Sequence, residues 1–174
     1  MDLKIRKADL SDISSIMAIE NESFSYDIRE NKQTFIKRIE TFNDGFWLLA
    51  IDSKVVGYIS SEIWNEESEN NFLLGHDIQK VHNNNGNKLY ISSVALSKKV
   101  RGKGLGHILF DYLIDYIPKK YPSVEKGVLL VSDNWENAKK IYIKKGFSET
   151  DRIKDFFSEN GIKRDGIIMD KIFK

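Results

Sequence analysis

The sequence predicts a single domain of the mixed α/β class. Two observations carry this prediction. β-rich runs of strand length alternate with segments whose apolar residues recur at helical spacing, and 174 residues are enough for one domain with a buried core. No linker or internal repeat divides the chain, so we expect one domain over 1–174. The predicted order of elements is β-α-α-β-β-β-α-β-α-β-β.

The first third of the chain is predicted to hold a strand, two helices and a β-hairpin. Leu3–Lys7 alternates apolar and charged residues, as a half-buried strand does. Asp9 or Ser11 is expected to cap the first helix, and Asn31–Thr41 is expected to form the second. The first helix is expected to end at Asn21–Phe24, and two strands are expected at Phe46–Ile51 and Val55–Trp64. The residues expected on the buried helix faces are Ile13, Ile16, Met17 and Glu20 in the first helix and Phe35, Ile36, Ile39 and Phe42 in the second.

A polar stretch, 65–87, precedes the centre of the chain. It is long for a connection inside a compact domain, and such loops are often functional. Glu66, Glu67 and Glu69 are candidates for attracting a cation such as an amine, and a solvated loop is the alternative. Apolar residues between 72 and 81 predict that part of the stretch folds back as a short helix.

The centre of the chain is predicted to form a strand, a glycine-rich loop and a helix. Leu89–Leu96 is a β-rich run of strand length. From Leu105 onward, apolar residues recur at i, i+3, i+4 and i+7, the spacing of a buried helical face. Pro118 is expected to end this helix because it lacks the N–H needed to continue it.

Three glycines and two cations lie where this helix begins. They are Arg101, Gly102, Lys103, Gly104 and Gly106. A helix N-terminus presents unpaired N–H groups, and glycines let the backbone approach an anion closely. The Walker pattern GxxxxGK[ST] and the dinucleotide pattern GxGxxG are both absent. The loop therefore indicates a phosphate site of another kind, with a plain basic turn as the alternative.

The C-terminal part is predicted to contain a strand, a helix and a final hairpin. Gly127–Ser132 is the strand, and a short helix begins near Trp135 and closes at Gly146. Its marked face carries Ala138, Ile141 and Tyr142, and the last strands are expected at Phe147–Lys154 and Gly166–Phe173 around a turn at 159–161.

Two sequence blocks resemble those of a known family. Arg101-x-x-Gly104-x-Gly106 follows SVALS at the end of a strand, and Ala138-x-x-x-Tyr142-x-x-x-Gly146-Phe147 lies downstream. In this order they resemble the motifs of the GCN5-related N-acetyltransferases (GNAT). The resemblance extends from Ile5–Ala8 to the last strand, and it implies the GNAT acyl-CoA N-acyltransferase fold.

The resemblance implies acetyl-CoA as co-substrate and no metal. The pyrophosphate is expected on backbone N–H groups of the loop, and the pantetheine arm along the edge of the preceding strand. The coenzyme-binding residues implied are Val94, Ala95, Leu96, Arg101, Gly102, Lys103, Gly104, Leu105 and Gly106. Many family members carry an asparagine three residues before the alanine; Trp135 stands there in this chain, so its neighbours Asn134 and Asn137 are candidates for that contact.

Tyr142 matches the tyrosine that protonates the departing thiolate in many family members, and a buried structural tyrosine is the alternative. A general base must also act, because an alkylamine with a pKa of about 10.4 is mostly protonated at pH 7. Tyr90 and Ser92 are expected on the same strand face as Val94, toward the reacting centre. The candidates for the base are Tyr90, Ser92, Glu20, Glu22, His76 and His82.

A finer resemblance, through NESF and SEIWNEE, is to the arylalkylamine N-acetyltransferases. Those enzymes carry two histidines at the positions of Tyr90 and Ser92, so neither their histidine proton route nor their substrate carries over to this chain. In the family the first two helices form one wall of the acceptor pocket. Phe24, Tyr26 and Phe35 are therefore candidate lining residues, with plain core as the alternative.

Composition excludes several classes of protein. The 27 basic and 26 acidic residues nearly balance, which argues against binding to nucleic acid or to an anionic membrane. The chain has no cysteine, which excludes disulfides, thiolate metal sites and a cysteine nucleophile. No stretch reaches the roughly 20 apolar residues of a membrane span, and MDLKIRKADL has no signal-peptide core. We expect a cytoplasmic protein.

The sequence thus predicts an acetyl-CoA-dependent N-acetyltransferase that acts on a primary amine, that of a small molecule, by direct attack. The alternatives are a protein N-terminal or lysine acetyltransferase and a non-catalytic acyl-CoA-binding regulatory domain. The expected partner is an amine or peptide acceptor, and a homodimer is also considered.

Overall fold

The computed structural model describes residues 1–65 and 69–174, without the side chains of Glu69 and Asn70. The elements are β1 (Leu3–Lys7), α1 (Ile13–Ser23), α2 (Lys32–Thr41), β2 (Phe46–Ile51), β3 (Lys54–Trp64), α3 (Glu69–Phe72), α4 (Ile78–Val81), β4 (Lys88–Leu96), α5 (Leu105–Lys120), β5 (Lys126–Ser132), α6 (Glu136–Lys144), β6 (Ser148–Glu159) and β7 (Ile162–Ile172). The mixed α/β prediction is confirmed, and the observed order adds one short helix to the one predicted between β3 and β4.

Two further expectations concern the acidic residues after β3 and the absence of a membrane span. The roles suggested for Glu66, Glu67 and the side chain of Glu69 lie outside the described residues. Within the described ranges, no helix is long and apolar enough to cross a membrane.

The seven strands form one sheet in the order β1-β2-β3-β4-β5-β7-β6. Every neighbouring pair is antiparallel except β4 and β5, which are parallel. Parallel neighbours need a crossover connection, and α5 supplies it. The glycine-rich loop therefore lies at the carboxyl end of β4, in the middle of the sheet.

The sheet has a core on each face. Leu109 and Leu113 of α5 pack with Ile59 and Leu129 on one face, and Ile16 and Phe35 of the first two helices pack on the other. The apolar spacing of α1, α2 and α5 thus predicted the residues that hold each layer to the sheet.

A bulge in β4 separates side chains that the sequence placed together. Ser60 pairs with Ser93 and Ser61 with Ile91, so Ser92 is the extra residue. Val94 packs on the α5 side of the sheet, whereas Tyr90 packs against Trp64 on the opposite side. The prediction that Tyr90 and Ser92 share a face with Val94 is wrong, because one inserted residue reverses the alternation after it.

Beyond the bulge, β4 and β5 separate. β4 pairs with β5 only from Lys88 to Ile91, and Val94–Leu96 pairs with β3 alone. The edge of Val94–Leu96 that faces β5 is therefore free of strand partners.

Two element boundaries differ from expectation. Pro118 does not end α5, which continues to Lys120. A proline removes one helical hydrogen bond, and here the last turn is held by the buried Ile117, whose carbonyl accepts from the N–H of Tyr121 at 2.8 Å. At the other end, Asp9 caps a single 3-10 turn, Leu10–Asp12, before α1 begins.

The C-terminal hairpin is longer than predicted. The turn at Asn160 and Gly161 is where the sequence placed it, with both residues at positive φ. The strands continue up to this turn, and the pairing shifts register between Ile153 and Phe157, beside Asp155 at φ 54. This irregularity breaks the alternation that a sequence reading follows.

Candidate active site

Two adjoining cavities open where β4 and β5 separate. The first, which we name the loop cavity, has a volume of about 280 Å³ and reaches Arg101 and Gly106. The second, the acidic cavity, has a volume of about 300 Å³ and reaches Glu20 and Glu30. The residues that line both cavities are Ser23, Phe24, Val94, Ala138 and Tyr142. The two spaces therefore meet at the point where the sheet splits.

The loop before α5 has the backbone of an anion site. Gly102 and Gly104 both have φ of +75°, and Gly104 is the N-cap of α5. A Cβ at either glycine would meet nothing within 4 Å, so the backbone conformation, not crowding, requires glycine there. The first N–H groups of α5 have no partner inside the helix and are available to an anion.

Arg101 fastens this loop to its surroundings. Its Nε donates to the carbonyl of Leu96 at 2.9 Å, and its Nη2 donates to Ser23 Oγ at 2.8 Å. Glu22 also serves the loop, since its Oε1 accepts from the N–H of Lys98 at 3.0 Å and this bond lowers the pKa of its carboxyl. Glu22 lines neither cavity, so the geometry gives no support to its predicted role at the reacting centre.

Glu20 is the helix carboxylate that lines the acidic cavity. Its side chain is buried, with Oε1 accepting from the N–H of Glu30 at 2.9 Å and Oε2 accepting from the hydroxyl of Tyr58. Burial raises the pKa of Glu20, and the two hydrogen bonds offset part of that rise. A carboxyl with a raised pKa is a stronger base once it is ionised.

Tyr142 lies where the cavities meet. Its ring packs 5.5 Å from that of Phe110, centroid to centroid, and burial raises the pKa of its hydroxyl to about 12. Its hydroxyl makes no hydrogen bond to any residue that the structure describes. It therefore stays protonated at neutral pH, with its proton available to a bound molecule.

Tyr90 and Ser92 line the acidic cavity, but their side chains make contacts with other residues of its wall. The Tyr90 ring stacks on Trp64 at 4.1 Å, and burial raises its pKa well above the ordinary value, so it is no base at neutral pH. The hydroxyls of Ser92 and Ser60 are hydrogen-bonded at 2.8 Å. Both residues shape the cavity.

The two histidine candidates hold the β3–β4 connection. His76 is paired with the buried carboxylate of Glu62, and its Nδ1–H donates to the carbonyl of Leu73 at 2.8 Å. His82 Nδ1 accepts from the N–H of Ile63 at 3.1 Å. Neither histidine lines the loop cavity or the acidic cavity.

Residues 13–147 match the sequence model of the acetyltransferase (GNAT) family. This chain belongs to the GNAT family. The family model is that of acetyltransferases, so the chain is assigned to the acyltransferases. No protein of curated function matches the sequence.

Solved structures of GNAT proteins share the fold over nearly the whole chain. The loading GNATL domain of CurA from Lyngbya majuscula matches with a TM-score of 0.85 at 14% identity, covering 99% of this chain and 98% of that one. The ribosomal-protein-S18-alanine N-acetyltransferase from Escherichia coli gives 0.77 at 16%, with 99% and 95% covered. Arabidopsis thaliana Naa50, in complex with a CoA-containing bisubstrate analogue, gives 0.75 at 21%, with 99% and 100% covered.

Of the residues expected to line the acceptor pocket and the two asparagines expected to contact the coenzyme, only one lies at either cavity. Phe24 lines both cavities, whereas Tyr26 is 82% exposed and Phe35 lies in the core. Asn134 accepts from Ser132 Oγ at 2.6 Å, and Asn137 is exposed. Neither asparagine lines the loop cavity or the acidic cavity, so the coenzyme contact expected of them has no support from the geometry.

Sequence reasoning missed the far wall of the acidic cavity. Trp135 stands where the family often has asparagine, and its ring lies 5.9 Å from Phe24 and 5.1 Å from Phe157. Its Nε1–H donates to Glu159 at 3.2 Å. The departure at Trp135 was the visible signal, but its partners come from the final hairpin and only the fold brings them together.

Proposed function

We propose that this GNAT chain is an acetyl-CoA-dependent N-acetyltransferase that acts on the primary amine of a small molecule. One observation carries the proposal: the loop cavity and the acidic cavity share Tyr142 in their walls, and together they extend from the glycine loop to the buried carboxylate of Glu20. This arrangement allows a thioester to enter from one side and an amine from the other.

The loop cavity suits coenzyme A. Gly102 and Gly104 shape a backbone cradle for its pyrophosphate, and the free edge of Val94–Leu96 can pair with the amides of its pantetheine arm. Leu105 contributes its backbone, since its side chain is buried in the core. The bisubstrate analogue bound by Naa50 contains CoA, which supports this use of the fold.

The chemistry needs one proton acceptor and one proton donor. In the proposed reaction Glu20 removes a proton from the ammonium group, directly or through water, and the amine nitrogen attacks the thioester carbon. A C–N bond forms, the nitrogen loses its second proton to solvent, and the C–S bond breaks. Tyr142 gives its proton to the departing thiolate and regains one from solvent. No covalent intermediate with the enzyme is required.

A contact between two segments that border the acidic cavity favours a small acceptor. The N–H of Asn160 at the β6–β7 turn donates to Asp27 Oδ2 at 3.1 Å, and the neighbours Ile28 and Glu159 line the cavity. An extended peptide would have to separate this contact in order to cross the cavity. An N-terminal or lysine acetyltransferase, the runner-up, would need that separation.

A panel of small amines and peptides with acetyl-CoA, read by release of free thiol, tests the proposal. We expect thiol release that depends on a small amine and yields its acetamide. Release with peptides alone would favour the runner-up. Thiol release no faster than acetyl-CoA hydrolysis with every acceptor would overturn the proposal.

A further inference from the structure

We infer that the acceptor is an amine that carries no carboxylate near its reacting nitrogen, so that the acidic cavity admits an amine and rejects the corresponding α-amino acid. This inference rests on the proposed function and deepens it. It follows from the charge and the surface of the cavity wall, which the family resemblance does not specify.

The charged side chains that line the cavity, among the residues the structure describes, are all carboxylates. They are Glu20, Glu30 and Glu159, and no described lysine, arginine or histidine lines it. Glu30 forms an ion pair with the buried Arg38, whose Nη1 lies 2.5 Å from Glu30 Oε2, and this pair balances the charge of Glu30. The cavity wall therefore keeps a net negative charge from Glu20 and Glu159.

A substrate carboxylate would find no ionic partner in this wall. Two hydroxyls of the wall are already used, since Ser92 is bonded to Ser60 and Ser93 lies 3.0 Å from the Tyr58 hydroxyl. The hydroxyls of Ser25 and Tyr142 have no partner among the described residues, but they are neutral and cannot balance a charge. A buried charge without a partner is strongly disfavoured, and here it would also face carboxylates of its own sign. A cationic amine gains from the same charges.

The rest of the wall suits an apolar body. Phe24, Tyr90, Trp135 and Phe157 present aromatic rings to the cavity. Its volume of about 300 Å³ is at the lower end for small-molecule sites, about 300–1,000 Å³. Compact amines whose carbon skeleton can lie on these rings fit both the space and the charge.

The test compares each amine with its parent α-amino acid: tryptamine with tryptophan, and 2-phenylethylamine with phenylalanine. We expect kcat/KM for thiol release to be at least about 100-fold higher for the amine in each pair, since one buried unpaired charge is worth several factors of ten. Calorimetric titration of the same four compounds into the protein saturated with CoA provides a second readout that does not need turnover.

Variants of Glu159 examine the origin of the selectivity. E159Q removes one negative charge but keeps an oxygen that accepts from Trp135 Nε1, so the ratio of kcat/KM for the amine to kcat/KM for the amino acid should fall. E159R places a positive charge there, so this ratio should fall further. E125Q makes the same charge change at an exposed residue outside both cavities and should leave the ratio unchanged.

The outcomes separate the two proposals. Amino acids that react or bind as well as their amines would overturn the inference and leave N-acetyltransfer intact. Amines that bind selectively but release no thiol would uphold the inference and count against the proposed function.

Discussion

The hydroxyl of Tyr58, on β3, donates a hydrogen bond to the carboxylate of Glu20, the residue of α1 that lines the acidic cavity. The bond ties the sheet to the first helix and stabilises the ionised form of Glu20 against the effect of burial. A carboxylate that is buried, oriented and adjacent to a cavity has the features of a general base.

Replacing Tyr58 with phenylalanine should therefore change the pH dependence of the reaction. Loss of the hydrogen bond removes an interaction that lowers the pKa of Glu20, so this pKa rises further. The acid limb of the kcat/KM profile should move to higher pH, with activity partly recovered there. E20Q should abolish the limb and reduce kcat/KM by about 10²–10⁴-fold. A Tyr58→Phe profile that overlays the parent would exclude Glu20 as the base.

The variant Tyr142→Phe should slow the chemical step and leave the fold intact. The ring keeps its contact with Phe110, while the proton for the thiolate is lost. We expect acetyl-CoA affinity to stay nearly constant and the single-turnover rate to fall by about 10²–10⁴-fold. Single turnovers avoid masking by product release. A rate equal to that of the parent would mean that Tyr142 is not the acid.

Glycine substitutions should separate backbone strain from coenzyme binding. Gly106→Ala places a Cβ 3.5 Å from Leu96 Cδ1, an ordinary contact, so the free protein should tolerate it while the coenzyme is obstructed. Gly104→Ala adds strain of about 1–2 kcal/mol, because φ there is +75°. Both variants should weaken acetyl-CoA binding measured by calorimetry.

Gly161→Ala is the matched control for that strain. Gly161 also has a positive φ, of 79°, and open space around a new Cβ, but it lies at the β6–β7 turn. It should lose stability as Gly104→Ala does and keep its coenzyme affinity. Unchanged affinity in both loop variants would remove the phosphate-loop assignment.

Breaking the contact between Asp27 and Asn160 should broaden acceptor choice. Asp27→Ala removes the oxygen that accepts from the Asn160 N–H, so the hairpin and the α1–α2 segment can part more easily. We expect kcat/KM for peptide acceptors to rise relative to small amines. Asp27→Asn, which keeps an accepting oxygen, should behave like the parent. An unchanged peptide-to-amine ratio in Asp27→Ala would show that this contact does not set acceptor size.

The two histidines of the β3–β4 connection should make opposite contributions to pH-dependent stability. Burial by itself lowers the pKa of His76, but its hydrogen bond to Glu62 and the charge of Glu62 outweigh this and raise the pKa above 6.5. Burial lowers the pKa of His82 below 6.5. The stability that His76 contributes is fully present below the pKa of the unfolded chain and is lost as pH rises through its pKa in the folded protein. The stability that His82 contributes is present above the pKa of the unfolded chain and is lost as pH falls through its pKa in the folded protein.

Urea unfolding from pH 5.5 to 8 can separate these contributions. His76→Gln should lose more free energy of unfolding, relative to the parent, at the acid end than at pH 8. His82→Gln should show the reverse, with its larger loss at pH 8. A loss from His76→Gln that is the same at every pH would show that the pair with Glu62 does not titrate in this range.

Local signals in the sequence were sufficient to predict most of the fold, the glycine loop before α5 and the position of Tyr142 on α6. The glycines of the loop, the tyrosine block at Tyr142 and the apolar spacing of α5 are set by neighbours within a few residues. Glu20 and Glu22 show the limit of this reading. Both were candidates, but residues two apart on a helix lie about 200° apart around its axis, so one enters the cavity and the other turns to the loop.

The sequence by itself determined the elements, the strand–loop–helix unit and the family, because these depend on short-range pattern. Only the tertiary structure decided which faces meet. The bulge at Ser92 reverses the strand alternation through a pairing with β3 that no local pattern encodes. The wall of the acidic cavity joins Phe24, Trp135 and Phe157, which are remote along the chain. Contacts between such distant segments are fixed by the packing of the whole sheet, and the charge of the cavity follows from them.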